Sequence, residues 1–168
     1  ISQPIKGTRK RGKNTEEDQY FMSELRDSEK DKSENVMITD LVRNDLSKTA
    51  KKSSVTVEEL FGVYTFDRVH QMITTITSEL DDKYDFIDAL ESTFPMGSMT
   101  GAPKIKSMEL IEQYETTKRS LFSSAFGYIT PESDFDFNVV IRSILYNEIK
   151  KYISVMVGGA ITINSNAI

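Results

Sequence analysis

The chain contains no cysteine, which rules out disulfides and thiolate metal centres. It has a single histidine, His70, too few imidazoles for a histidine-based zinc site. Nowhere do its apolar residues run on for the 18 or so positions that a membrane-spanning helix needs. The N-terminus has no apolar stretch of the kind found in a signal peptide. It has no initiator Met either, and the chain stops on "GGAITINSNAI", a strand-and-turn pattern with no closing element. We therefore expect a cytoplasmic protein and an internal piece of something longer. What is present is ordinary for a globular protein: 38% hydrophobic and 28% charged residues in 168, enough to bury a core within one domain, residues 1–168.

Charge is spread unevenly along a chain of net charge −5. Lys6, Arg9, Lys10, Arg11 and Lys13 crowd the first 13 residues with no acid among them, and Thr15 to Glu34 is then strongly acidic. A basic arm can bind nucleic acid. The pI near 5.0 and the lack of a second basic stripe place that reading last, and no nucleic-acid or membrane partner is expected.

Asn14 or Thr15 can cap a helix whose first turn holds Glu16, Glu17 and Asp18, the sign that the helix dipole favours. Phe21 and Leu25, then Met37 and Leu41, recur at helical spacing. The charged stretch "RDSEKDKSEN" between them reads equally as exposed helix or as a break. From Ser53 the chain turns β-branched and aromatic in "SSVTVEE", "FGVYTF" and "RVHQMITTITS", which predict strands. A short helix over 85–94 and another beginning at Pro103 follow. Three further strands are expected at 124–130, 137–146 and 152–163, joined by connections short enough for hairpins. The fold class is α+β, mainly antiparallel sheet with packed helices.

Several residues are out of place for a plain core. Glu34 shares a helical face with Ile38 and Leu41, so its carboxylate needs either an internal cation or a metal such as Mg²⁺. Arg142 sits among Val139, Val140, Ile141 and Ile144, which reads as a central strand with a guanidinium aimed inward at a carboxylate of the protein or of a ligand. His70 falls on a strand face with Met72, Thr74 and Ile76, as a core residue or as a catalyst. "GSMTGAPK" offers backbone amides ahead of a helix, either as a tight turn or as an anion site. Lys6, between a proline and a glycine, reads as a lysine in a rigid turn. Together these groups suit a small polyanion held with a divalent metal.

The motifs "PIKGTRKRG", "ENVMITDLVRNDL", "FPMGSMTGAPKIKSMELIEQYE", "FGYI", "VVIRS" and "GGAIT" resemble, in order and spacing, those of the chorismate-utilising enzymes. The resemblance covers essentially the whole chain and implies the chorismate-binding fold. Anthranilate synthases typically carry alanine where this chain has Lys6, and PIKGT is similar to the aminodeoxychorismate synthase branch, component I. That branch implies conversion of chorismate and ammonia to 4-amino-4-deoxychorismate, on the way to para-aminobenzoate and folate. The ammonia would come from a glutamine amidotransferase subunit or domain. Lys6 would be the nucleophile and His70 an active-site residue beside the reacting ring.

By the same resemblance Thr8, Gly97, Ser98, Thr100, Gly101, Tyr128, Arg142, Gly158 and Gly159 would contact substrate. Glu34 would ligate Mg²⁺. Nearby cations lower a lysine pKa, so on physical grounds, not from the resemblance, Arg9 and Arg11 are expected to help keep the Lys6 amine neutral. The family's glycine triplet reads Gly158, Gly159, Ala160 here. Its second metal-binding glutamate would fall beyond Ile168, and its N-terminal half would lie before Ile1. The alternatives are an anthranilate synthase component I, or a folded but inactive fragment that self-associates through open sheet edges.

Overall fold

In a computed structural model, which describes residues 1–162 and residue 165, the chain divides into two compact units, Ile1–Tyr114 and Glu115–Ile168. Among the described residues every sheet pairing is antiparallel, and the α+β expectation holds. No helix among them is long and apolar enough to cross a membrane.

The first unit is a three-stranded sheet with helices packed on it. Strand β1 is Ile5–Lys10, β2 is Thr56–Thr65 and β3 is Val69–Thr77, in the order β1-β3-β2. Period-2 alternation puts His70, Met72, Thr74 and Ile76 of β3 on one face, and all four are fully buried. Helix α1, Thr15–Asp27, starts where the Asn14 side chain accepts the Glu17 amide at 2.9 Å. The charged stretch after it proves to be a break. Ser28 ends α1 and caps α2, Glu29–Ser47, by accepting the Asp31 amide. Leu25 of α1 is fully buried, and α2 packs against both β1 and β3. Helix α3, Phe86–Thr93, has a reciprocal capping box between Asp85 and Asp88, and α4 spans Lys104–Tyr114 directly after Pro103.

Strand β1 is the element that sequence patterning missed. It has no apolar alternation because it lies at the sheet edge. Between Ile5↔Ile73 and Thr8↔Gln71 it carries one residue more than β3, so Lys6 and Gly7 together oppose Met72 in a bulge. Gly7 takes φ +93°, a conformation that suits glycine at such a site. Lys6 therefore belongs to a bulged strand and not to a rigid turn.

The second unit contains two hairpins: β4, Ala125–Ile129, with β5, Phe135–Val139; and β6, Ile144–Asn147, with β7, Tyr152–Val155. The single strand expected over 137–146 is thus two. Val140 still pairs with residues 123 and 124, but the Ile141 amide then donates back to the Val139 carbonyl, and Arg142 turns left-handed at φ +52°. Apolar residues resume at Ile144 just past Arg142 and Ser143, which is why patterning alone joined the two strands. The strand expected over 152–163 ends at Val155, and its last residue, Ile163, lies outside the described residues.

Candidate functional site

Lys6 is half-buried in the β1 bulge, and among the described residues its amine has no hydrogen bond or ion pair. Its cationic neighbours are all but spoken for. Arg9 donates to Glu24 of α1 at 2.9 Å and to Asp31 of α2 at 3.0 Å. Lys10 lies 4.9 Å from the centre of the Phe21 ring. Arg11 grips Asp18 through two nitrogens and donates to the Phe66 carbonyl. Arg9 and Arg11, the cations expected to act on Lys6 by their charge, are thus each paired with carboxylates. This pairing also accounts for the acidic run after the arm: those acids are the arm's partners.

His70 is fully buried, with both ring nitrogens engaged: Nδ1 lies 2.9 Å from Thr65 Oγ1 and Nε2 lies 3.0 Å from Asp18 Oδ1. Asp18 takes four donors, because Oδ1 also accepts from Arg11 Nε at 2.8 Å and the Gly12 amide at 2.7 Å, while Oδ2 accepts from Arg11 Nη2 at 2.9 Å. The Arg11 guanidinium first, then the Gly12 amide and His70, hold this carboxyl well below the usual carboxylate range, against the opposing effect of burial. This environment accords with the core reading of His70, and the active-site reading rests on the resemblance. Thr8 is exposed on β1 opposite Gln71.

Glu34 lies half-buried on α2, and no ion pair or hydrogen bond holds it among the described residues. The next residue, Asn35, is fully buried and accepts from both Thr39 and Thr74, while its amide nitrogen has no partner. Among the described residues no cluster of three acid or imidazole groups could hold a metal ion. One carboxylate does not make a Mg²⁺ site, since that ion demands near-octahedral oxygen ligands. The residues described here do not fit the metal as a set.

Gly97, Ser98 and Met99 form a 3₁₀ turn, and buried Gly97 sits against Leu41 of α2. The amides of Met99 and Thr100 close this turn onto Met96 and Gly97, so these two donors serve the loop itself. Gly101 follows at φ +152° beside Ser107. The loop is moored by Lys104, whose amine pairs with buried Asp45, an acid also held by Lys48 at 2.9 Å. Sequence reasoning missed Asp18, Thr65 and Asp45; the acid-poor arm facing an acid-rich helix was the one signal that pointed to the first.

Lys6, Thr8, Glu34, His70 and Gly97–Gly101 all fall in the first unit. Tyr128, Arg142, Gly158 and Gly159 fall in the second. Tyr128 is exposed on β4, opposite Asp136. Arg142 is exposed at the β5–β6 corner, which corrects its placement as an inward residue of a central strand. A methyl added at Gly158 would meet only the Phe122 ring at 3.4 Å, and one at Gly159 nothing within 4 Å, so neither glycine is required by a close backbone approach here.

Comparison with known proteins gives this geometry a family. The chain is 41% identical over 143 residues to aminodeoxychorismate synthase component 1 of Bacillus subtilis, covering 85% of this chain and 30% of that protein. It is 36% identical to anthranilate synthase component 1 of Aquifex aeolicus, covering 98% of this chain and 33% of that one. It therefore spans about a third of the length of these relatives. Among solved structures, anthranilate synthase component I from Streptococcus pneumoniae superposes with a TM-score of 0.74 at 32% identity, over 85% of this chain and 31% of that chain. The family model for chorismate binding enzymes matches residues 1–168, and the chain belongs to that family.

Proposed function

We propose that the protein carrying this chain is an aminodeoxychorismate synthase, which joins ammonia to chorismate with Lys6 as a covalent nucleophile. The observation that carries this reading is the Lys6 amine on a bulged edge strand, without hydrogen bond or ion pair among the described residues and amid cations that are themselves engaged. Lys6 Nζ adds to ring C2, the two ring double bonds shift, and the 4-hydroxyl departs as water with a proton. Ammonia then adds at C4, the double bonds shift back, and the bond from C2 to Lys6 breaks. The net change is chorismate plus ammonia giving 4-amino-4-deoxychorismate plus water, with the lysine regenerated.

A glutamine amidotransferase partner would supply the ammonia, and folate synthesis would use the product. Thr8, the Gly97–Gly101 loop, Tyr128, Arg142, Gly158 and Gly159 remain the substrate contacts of this reading. Mg²⁺ enters by resemblance, with Glu34 as its one donor in this chain, and no step above runs through it. The absence of cysteine accords with a cytoplasmic setting.

The Aquifex relative makes anthranilate synthesis the second reading. Product identification after incubating the intact protein with chorismate, ammonia and Mg²⁺ separates the two. We expect 4-amino-4-deoxychorismate, and mass spectrometry should find an adduct at Lys6. The Lys6→Ala protein should stay folded and lose on the order of 10³-fold or more in rate. Anthranilate as the product, or a near-normal rate in Lys6→Ala, would refute the lysine reading.

A further inference from the structure

We propose that Asp18 is a positioning residue for this reaction: its carboxylate, shared among Arg11, Gly12 and His70, fixes the register of the strand that carries Lys6. The proposal rests on the reading of Lys6 as the nucleophile. It begins from the weakness of β1. As the sheet's edge strand β1 has a ladder on one side only, and its bulge already accommodates one surplus residue. Absorbing the surplus residue by a one-residue slip of residues 7–10 would pair Lys6 alone with Met72, move Arg9 from His70 to Val69 and re-aim the Lys6 side chain.

Something beyond the ladder must hold the register, and Asp18 is placed to do so. Its carboxylate accepts Arg11 and Gly12, the residues just past the end of β1, and on the same oxygen accepts Nε2 of His70 from β3. His70 is also the ladder partner of Arg9, so the clamp closes over a pair whose register it defines. Arg9 ties β1 to both helices but to no other strand. Among the described residues Asp18 is thus the side chain that joins the β1 arm, α1 and β3 at one point.

The donor chemistry fixes the imidazole too. An ionised carboxylate only accepts, so the proton must be on Nε2. Nδ1 is then available to the Thr65 hydroxyl at 2.9 Å. Because His70 is fully buried, water cannot replace either partner. Asparagine at position 18 would turn an NH₂ toward a guanidinium, histidine or amide donor whichever way it flipped, and so would open the clamp. Glutamate would keep the charge and the acceptors.

The test uses ¹⁵N-histidine NMR together with Lys6 kinetics. His70 is the only histidine of this chain, and in the intact protein its ring resonances are assigned as those lost in His70→Gln. The unmodified protein should show the proton on Nε2. Asp18→Asn should lose that signature and form the Lys6 adduct about 100-fold more slowly, with KM little changed. Asp18→Glu should restore both to within about 10-fold of the starting rate. A proton on Nδ1 alone in the unmodified protein overturns the proposal without any variant, which covers the case where Asp18→Asn fails to fold. An undiminished adduct rate in folded Asp18→Asn overturns it as well. If the unmodified protein forms no adduct, the lysine reading fails instead, and the clamp is then decided by the His70 tautomer alone.

Discussion

Replacing Gly97 by alanine isolates one steric contact between the 97–101 loop and helix α2. An ideal Cβ at Gly97 would lie 2.3 Å from Leu41 Cδ2 and 2.8 Å from Leu41 Cγ. Non-bonded carbons settle at about 3.5–4.0 Å, so Leu41 must retreat by roughly 1 Å or more. The clash at Cγ cannot be relieved by moving the far end of the side chain alone. Gly97 is not among the glycines at positive φ, so no left-handed backbone strain arises. Alanine would even gain about 0.4–1 kcal/mol by restricting the unfolded chain. Overpacking opposes this at about 1–3 kcal/mol and wins, leaving a net loss of about 1–2 kcal/mol.

Equilibrium urea unfolding, followed by tyrosine fluorescence because the chain has no tryptophan, reads this directly. With a slope of about 2 kcal/mol per molar, the midpoint should fall by roughly 0.5–1 M. In a Leu41→Ala background the same glycine change should cost nothing and gain about 0.4–1 kcal/mol, a coupling of about 1–3 kcal/mol between neighbours. An unchanged midpoint in Gly97→Ala, or an equal cost in both backgrounds, would show that the loop does not rest on Leu41.

Two further outcomes concern buried charge. Lys104→Met removes one of the two cations on buried Asp45, and thermal or urea melts should show a loss of about 3 kcal/mol, the low end for a broken buried pair because Lys48 remains. Asp18 gives a pH signature whose sign follows from its depressed folded-state pKa. Its stabilisation is fully present above the ordinary aspartate pKa of about 3.9 and is lost as pH falls from there through the lower folded value. Urea midpoints of the unmodified and Asp18→Asn proteins should therefore converge on acidification, and a gap that stays constant from neutral pH into that range would contradict it.

Local signals were legible wherever one residue's chemistry sufficed. Asn14 and Asp85 marked helix starts, the β-branched run marked β2 and β3, and the His70–Ile76 alternation gave the buried face. The misses share another cause. Strand β1 is tied to the helices by acids on α1 and α2 that meet Arg9 from 15 and 22 residues away along the chain, a partnership that no window of sequence displays. The Arg142 corner turns on one left-handed residue between two apolar stretches, Val139–Ile141 and Ile144–Leu145. Of the candidate site, the residue types and their motifs were legible. That His70 answers to Asp18 and Thr65, and that Glu34 belongs to no group of three metal-capable side chains among the described residues, needed the folded chain.

Strand β3 has a ladder on each side and a fully buried helix-facing row, whereas β1 has one ladder interrupted by its bulge. Amide protons of the two strands should therefore exchange with solvent by different routes: those of β3 when the whole unit unfolds, those of β1 in smaller and more frequent openings. Lys6 rides on one of the sheet's two edge strands, which can open locally without breaking the β2–β3 ladder. The amine can thus be uncovered and reseated while the buried row of β3 stays in place as the template to which it returns.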